Sequence, residues 1–554
     1  MSSDKAWNMY VFRDGRNTVA GATLARELAG AILAAFEASS SKLQDALIDA
    51  LLRAGELECA LVDAGLPAGG NLAEVTDALA DCLVRGELKW SSKHLLRAVP
   101  QGLSEELRVS PPEGFAYYAL HPLDYSDMAA ELPLTAGQVC IVGIRSIGVT
   151  LSAIVAAAIR RRGLRTTRLT VRPTGHPYNR MTEFIADQRR TLEKLRFEGA
   201  EFVVVDEGPG MSGSSFLSVG ESLEDLGVAR KRIAFLCSRV PDPDSLRASN
   251  GGERWRRFRA HYSRRNWRLP ANANLYIGGG EWREFLMNGH ERPATWTQME
   301  RLKFMSDDRK LFLKFEGFGR YGSAVVDRAR RISKAGFGPT PLEFAQGFAV
   351  YPAIVGRPSA QRDLGRADIE RMAAYCAFRA SELRSPDHGG SHVIETMARF
   401  NIAQEFGTEN AIPEGALSTL NPVLVDGRMN PHEWLLTDDG ELLKTDNASH
   451  GDDHFFPGPT DIAWDLAGAI VEWNMDEQAA EFLIDEYRRR SGDNVGSRIG
   501  AFLLAYSVFR LAYCKMAAAA LNGSGEEEIL TKAYQYYRAA AGARLGQESE
   551  PLAA

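Results

Sequence analysis

The sequence predicts a multidomain protein of mixed α/β and α+β class, and three observations lead to this. A length of 554 residues is enough for about three or four domains. Apolar residues recur at spacings of three and four up to about residue 100, as in helices, whereas strand-like and helix-like segments then alternate, as in a mostly parallel sheet. Beyond about residue 295 the pattern changes again, to paired strands and a long helical tail. We expect a helical region over 1–105, a parallel-sheet domain over 106–290 and a two-lobed domain over 295–548.

Charge and cysteine usage narrow the class of protein. The net charge of -7 argues against a dedicated nucleic-acid binder. The six cysteines lack disulfide-like or metal-ligand spacing, which favours reduced thiols in a cytoplasm. The apolar stretch 19–36 is interrupted by Arg26 and Glu27, so it predicts an amphipathic helix rather than a signal peptide or membrane span. We expect a cytoplasmic protein that binds neither nucleic acid nor membrane.

The helical region repeats an apolar pattern through residues 43–51 and again through 72–83, with the break Leu66–Gly70 between the two runs. It contains no recognisable catalytic constellation. We interpret it as a helical cover for the rest of the chain or as a dimerisation element, which would make the protein a homodimer.

The segment Glu201–Phe216 is the most informative stretch of the sequence. Phe202 to Val205 form a short apolar run typical of a buried parallel strand. Asp206 and Glu207 follow at its carboxyl end, where ligands bind in open α/β sheets. The next residues can turn sharply and offer backbone N–H groups and hydroxyls to a phosphate at a helix start. They are Gly210, Met211, Ser212, Gly213, Ser214 and Ser215.

This order of strand, acidic pair and small-residue loop resembles the 5-phosphoribosyl diphosphate (PRPP) motif of type I phosphoribosyltransferases. The resemblance implies that Asp206 and Glu207 contact the ribose hydroxyls and that the loop 210–215 binds the 5-phosphate. Two features depart from the family: the second acid is Glu rather than the commoner Asp, and the loop is slightly longer. An ordinary strand–turn–helix junction with an acidic end is the alternative interpretation.

An earlier strand and turn, Gln138–Gly148, precede this motif. The resemblance implies that a loop in this position holds the diphosphate, which indicates Arg145, Ser146 and Gly148. Arginines aimed at the departing diphosphate, together with Mg2+, would stabilise the transition state more than the ground state. The candidates for that task are Arg172, His176 and Arg180. Solvated surface positions are the alternative for each of the three.

The second half begins with the strand-like segments 301–305 and 311–317 and a helix from about Ser323 to Lys334. This arrangement resembles the amino-terminal lobe of aminoglycoside and choline phosphotransferases. In that fold a strand lysine contacts the ATP phosphates and pairs with a helix acid. Lys314 and Asp327 occupy the matching places.

The later segments 423–440, 442–446 and 460–467 resemble the other lobe of these kinases, in the same order. The resemblance implies that Asp446 holds Mg2+ on the ATP phosphates. In the catalytic loop, Asp426 would be the base that orients an acceptor hydroxyl, with Asn430 or His432 assisting the metal. If Arg428 occupies the base position instead, the domain only binds nucleotide. The insert 447–456 could also form a separate divalent-ion site from His450, Asp452, Asp453 and His454.

We therefore expect a bifunctional transferase that uses Mg2+, PRPP and ATP and acts on a nucleotide- or sugar-like metabolite. One part would displace diphosphate from PRPP, and the other would pass a phosphoryl group from ATP to a hydroxyl. Two alternatives stay open. The first is a regulatory protein that binds PRPP or ATP without turnover, and the second is a scaffold in a multi-enzyme pathway.

Overall fold

The amino-terminal region is helical and is closed by a two-stranded sheet. A computed structural model describes residues 8–264, 267–287, 292–387, 390–409 and 411–546. Strand β1 pairs antiparallel with β2, so both ends of the four-helix segment are held together. The elements are β1 (Asn17–Ala20), α1 (Gly21–Glu37), α2 (Leu43–Asp63), α3 (Ala68–Arg85), α4 (Ser92–Ala98), β2 (Glu106–Val109), α5 (Glu113–Ala116) and α6 (Pro122–Glu131).

A five-stranded parallel sheet follows, in the order β4-β3-β7-β8-β9. Strand β7 is buried along its whole length because it is a central strand and helices cover the sheet. A small antiparallel hairpin, β5-β6, projects beyond β4. The elements are β3 (Gln138–Ile144), α7 (Ile147–Arg161), β4 (Arg165–Val171), β5 (Thr174–His176), β6 (Asn179–Met181), α8 (Ala186–Phe197), β7 (Glu201–Val205), α9 (Ser214–Asp225), β8 (Ile233–Cys237), α10 (Gly251–Arg256) and β9 (Arg259–Tyr262).

The carboxyl-terminal half has two lobes. The first is an antiparallel sheet in the order β10-β11-β12-β14-β13 with one long helix, and the second is mainly helical with the small sheet β15-β16-β17. The elements are β10 (Leu275–Tyr276), α11 (Trp282–Leu286), β11 (Lys303–Met305), β12 (Leu311–Phe315), α12 (Arg320–Lys334), β13 (Glu343–Ala345), β14 (Phe348–Pro352), β15 (Gly356–Pro358), α13 (Arg366–Glu382), α14 (Gly390–Phe406), β16 (Trp434–Thr437), β17 (Leu442–Lys444), α15 (Ala463–Glu472), α16 (Glu477–Ser491), α17 (Ile499–Ala520) and α18 (Gly525–Arg544).

The helical region shares a core with both of its neighbours. One continuous apolar cluster joins its helices to one face of the parallel sheet and to the sheet of the first lobe. Residues Met9 and Val11, in contrast, are buried in the core of the helical lobe. The prediction of a helical cover therefore agrees with the packing, and the prediction of a homodimer stays a prediction.

The turn between β12 and α12 shows how closely the helical region docks. Asp49 of α2 accepts a hydrogen bond from the Arg320 N–H at 2.7 Å. A Cβ at Gly319 would lie 2.4 Å from Asp49 Oδ1, so only glycine fits there. Gly317, Gly319 and Gly322 have the spacing of a phosphate-binding glycine loop, but here Asp49 caps the helix that follows.

Helix α17 is long and apolar enough to cross a membrane by length and composition. However, 78% of its most apolar window is buried among the other helices of the second lobe. This burial is typical of the core helix of a helical domain.

Candidate functional site

The first candidate site lies at the carboxyl edge of the parallel sheet, between β3 and β7. The chain leaves β3 toward β4 on one side and later enters β7 on the other, so this is the point where the strand order reverses. The turns after the two strands touch: a Cβ at Gly148 would lie 2.8 Å from Val205 O and 3.6 Å from Asp206 Oδ1. Ligands of open α/β sheets bind at such a switch point.

Asp206 and Glu207 are half-buried at this edge. Asp206 Oδ1 accepts the Glu207 N–H at 2.9 Å, and Glu207 Oε2 accepts the Gly114 N–H at 3.1 Å. Burial raises the pKa of Asp206 to about 7. Burial, with the nearby charges of Asp206 and Glu113, raises the pKa of Glu207 to about 8. Among the described residues neither carboxyl group forms an ion pair, and the charges of Arg172 and Arg239 offset the effect of burial only in part.

The loop after the acidic pair leads directly into α9, as the sequence predicts. Gly210 and Gly213 have positive φ angles of 59° and 70°. The hydroxyls of Ser212 and Ser214 donate to Pro177 O at 2.8 and 2.6 Å, so the hairpin β5-β6 covers this side of the loop. Met211 is exposed, and Ser215 is the second residue of α9.

The turn after β3 brings two of the predicted diphosphate ligands together. The Arg145 backbone carbonyl accepts a hydrogen bond from Arg172 Nη1 at 2.7 Å. Ser146 has φ 116°, a strained conformation for a residue with a side chain. His176 and Arg180 lie on the hairpin β5-β6 instead, where the Arg180 side chain donates to Gly175 O.

The second candidate site is the cleft between the two lobes of the carboxyl-terminal half. Lys314 of β12 contacts Asp446 across the cleft, and its Nζ lies 2.6 Å from Ser449 Oγ. Lys303 Nζ lies 3.3 Å from Asp446 Oδ2. Burial opposes ionisation of Asp446, but Lys314, His450 and Lys303 together hold its pKa well below the usual range.

Asp327 does not take part in this cleft, which corrects its predicted pairing with Lys314. Its side chain is 70% exposed and pairs with Arg330 at 2.8 Å. The buried face of α12 carries Val325, Arg328 and Ala329, and Asp327 points the other way.

Asp426, the predicted base, is also outside the cleft. Its carboxylate is buried and accepts a hydrogen bond from Tyr375 Oη at 2.6 Å. Lys444 Nζ lies 3.3 Å from Asp426 Oδ1, and Arg379 Nη1 lies 3.8 Å from Asp426 Oδ2. Asp465 accepts the N–H groups of both Asp426 and Gly427 and so holds the loop in this conformation. Arg428, two residues further along this loop, does line the cleft.

The three predicted metal ligands do not converge. The side-chain amide of Asn430, oriented so that its nitrogen donates, lies 2.9 Å from Glu472 Oε2. His432 stacks on Trp282 at 5.4 Å between ring centroids, and burial lowers its pKa to about 4. All three residues line the cleft, but Asn430 and His432 have these other partners and Asp446 is already paired with Lys314 and Lys303. These residues therefore do not fit a three-ligand Mg2+ site.

A second cluster of possible metal ligands lies near the loop, and a lysine is already paired with its carboxylates. Ligand atoms of Asp426, Glu433 and His450 lie within 4.8 Å of one another, as in metal sites. However, the buried Lys444 Nζ lies 2.9 Å from Glu433 Oε2 and 3.3 Å from Asp426 Oδ1. Burial opposes ionisation of Glu433, but Lys444, His450 and His432 lower its pKa to about 2. The ammonium group of Lys444 thus takes the place that a metal ion would have.

His454, predicted as part of a separate ion site, contacts the sheet domain instead. Its Nε2 lies 3.1 Å from Tyr118 Oη, and burial lowers its pKa to about 4. Phe318 N donates to Phe115 O at 3.0 Å. Because Gly114 in the same segment contacts Glu207, the segment 113–120 touches both the acidic pair at the sheet edge and the carboxyl-terminal half of the chain.

Three side chains in or beside the candidate sites were missed by sequence reasoning: Lys444, Lys303 and Asp63. Lys444 had a signal, since it shares the inward face of β17 with the buried Leu442. No sequence signal indicates Lys303 or Asp63, because their contacts with Asp446 and Arg145 join distant segments of the chain.

No protein-family model matches the chain, and no curated protein matches it by sequence. Solved structures of small-molecule kinases are similar over less than half of it. The choline kinase LicA from Streptococcus pneumoniae is 12% identical with a TM-score of 0.33, covering 44% of this chain and 89% of its own. A choline/ethanolamine kinase family protein from Mesorhizobium loti is 15% identical with a TM-score of 0.30, covering 44% of this chain and 88% of its own. Aminoglycoside 2'-phosphotransferase-IIIa, in a GDP complex, is 9% identical with a TM-score of 0.31, covering 47% of this chain and 96% of its own. Similarity of this degree does not define an activity, which depends on the side chains present.

Proposed function

We propose that the cleft between the lobes binds ATP and that the protein is an ATP-dependent transferase of the small-molecule kinase type. The observation that carries this proposal is the contact of Lys314 with Asp446 across the two lobes, beside Lys303. Fixed cations of this kind bind phosphate oxygens. Apolar side chains beside them suit a planar base. They are Ile277, Phe312, Ile354 and Leu435.

Phosphoryl transfer to a hydroxyl needs a group that orients the acceptor. Asp453 is the carboxylate we propose for this role, because it lines the cleft while Asp426 is buried away from it. Its Oδ1 accepts the Phe455 N–H at 2.8 Å, which orients the side chain. Arg428, on the same wall of the cleft, would stabilise the charge of the transferred phosphoryl group.

Nucleotide binding without turnover is the second candidate for the cleft. Arg428 faces the cleft from the loop where kinases of this type carry their catalytic aspartate, and this favours a binding protein. The distinction is experimental: ATP-dependent phosphate transfer into a metabolite pool, lost in Asp453→Asn, supports the transferase. ATP binding with no transfer under any condition supports the binding protein. No ATP binding by isothermal titration calorimetry, with or without Mg2+, contradicts both.

For the edge of the parallel sheet we propose binding of PRPP and phosphoribosyl transfer. Three observations support it: the acidic pair at the switch point, the strained turn at Ser146 and the paired arginines Arg145 and Arg172. Carboxyl groups that are not held in an ion pair can accept hydrogen bonds from ribose hydroxyls. The test is equilibrium binding of PRPP to the wild type and to Asp206→Asn. Loss of binding in the variant supports the site, and equal binding by both proteins contradicts it.

A further inference from the structure

A carboxylate of the helical region lies on the arginine pair at the sheet edge. Asp63 Oδ1 is 3.1 Å from Arg145 Nη1 and 3.3 Å from Arg172 Nε, and its Oδ2 contacts Arg172 Nη2. Two arginines that converge on one carboxylate have the geometry of an oxyanion site. Arg145 Nε is buried and has no hydrogen-bond partner within the described part of the chain.

The position of Asp63 is electrostatically unfavourable apart from these contacts. It is the last residue of α2, a helix of 21 residues, and so lies at the negative end of the helix dipole. The positive charges of Arg145 and Arg172 offset the repulsion between the Asp63 carboxylate and this negative helix end. A ligand with more negative charge than a carboxylate can therefore compete for them.

Packing determines where α2 ends, whereas the Asp63 side chain can move. Gly55 of α2 lies so close to α7 that a Cβ there would be 2.0 Å from Thr150 Oγ1. The helix therefore cannot slide away from the turn after β3. The Asp63 side chain is 32% exposed, so it can rotate into solvent without movement of the helix.

We infer that Asp63 is an internal anion that occupies the arginine pair until a diphosphate group displaces it. This inference rests on the proposed phosphoribosyl function, since it concerns the diphosphate part of that site. The displacement makes binding weaker than the arginines alone would allow. It also disfavours singly charged anions, which gain little by replacing a carboxylate.

The test is binding of inorganic diphosphate, measured by isothermal titration calorimetry on the full chain. Asp63→Asn should bind diphosphate about tenfold more tightly than the wild type, because the competing charge is gone. The matched control is Asp187→Asn, which removes the same charge from an exposed ion pair with Arg190 on α8 and should leave the affinity unchanged. Asp63→Ser is measured alongside, and the circular dichroism of each variant is checked.

Three outcomes are distinguishable. Tighter binding by both Asp63 variants and not by Asp187→Asn supports the inference. Equal binding by all four proteins overturns it while leaving the anion site intact. Absence of diphosphate binding in every protein overturns the inference together with the proposed diphosphate site.

Discussion

The two candidate sites differ in how their carboxylates are compensated. At the sheet edge, where neither acid forms an ion pair among the described residues, burial raises the pKa of Asp206 to about 7 and, with the charges of Asp206 and Glu113, that of Glu207 to about 8. In the cleft, Lys444 together with His450 and His432 lowers the pKa of Glu433 to about 2 despite its burial. Lys314, His450 and Lys303 likewise hold the pKa of Asp446 well below its usual range. The cleft thus has its charges paired before any ligand arrives. The sheet edge keeps an acidic pair whose partners a ligand would supply.

The largest expected effect concerns stability in the cleft. Lys444→Met should lower the free energy of unfolding by about 3–5 kcal/mol, because the buried carboxylates of Asp426 and Glu433 lose the ammonium group that they share. Urea denaturation followed by circular dichroism measures this. Lys310→Met is the control, since the Lys310 side chain is exposed and, among the described residues, its ammonium group is paired only with the exposed Asp308, at 3.8 Å. Equal stability of the two variants would contradict the role of Lys444.

The next effect concerns the ligand of the cleft. Lys314→Met should weaken ATP binding about 100-fold, or about 2.7 kcal/mol, because the phosphate oxygens lose a buried cation. Calorimetric titration of ATP measures it, with Lys310→Met again as the control. ATP affinity within twofold of the wild type would remove Lys314 from the site.

A smaller effect is expected at the sheet edge. A Cβ at Gly114 would lie 2.8 Å from Glu207 Cδ, so Gly114→Ala must move the Glu207 carboxylate. We expect PRPP affinity to fall about tenfold, or about 1.4 kcal/mol. Gly137→Ala is the matched control, since a Cβ there meets nothing within 4 Å. A loss of equal size in both variants would show that Glu207 is not responsible.

The smallest effect is a pH dependence. The pKa of Asp206 is higher in the folded chain than its ordinary value of 3.8, so between pH 4 and 7 the folded state binds more protons than the unfolded state. Its contribution to stability is fully present below the ordinary pKa and is lost as pH rises through about 7. Asp206→Asn should remove about 1 kcal/mol of this decline, after allowance for solvent at a half-buried group. Urea denaturation from pH 4 to 8 measures it, and parallel curves for variant and wild type would contradict it.

Much of the sheet edge could be predicted from sequence, because it depends on local signals. The apolar run Phe202–Val205 predicts a buried strand, and the acidic pair follows from its end. The glycines and serines after it predict the turn into a helix. By contrast, the direction in which Asp327 points depends on the rotation of α12, which its apolar positions indicate only when the whole helix is considered.

The cleft and the contacts between regions could be predicted less well. The resemblance led to Lys314 and Asp446, but the burial of Asp426 depends on Tyr375 and Arg379 of α13 and on Lys444 of β17, which are distant from it in the chain. The contact of Asp63 with Arg145 joins residues more than 80 positions apart. No periodicity or spacing indicates such a pair, since it arises only when the helical region packs on the sheet.

The central claim is that one chain carries two separate sites, one for PRPP and one for ATP. It is tested most directly by titrating both ligands against the wild type, Asp206→Asn and Lys314→Met. We expect Asp206→Asn to lose PRPP binding and keep ATP binding, and Lys314→Met to show the reverse. If either variant loses both ligands while remaining folded, or if the wild type binds neither, the claim of two separate sites is wrong.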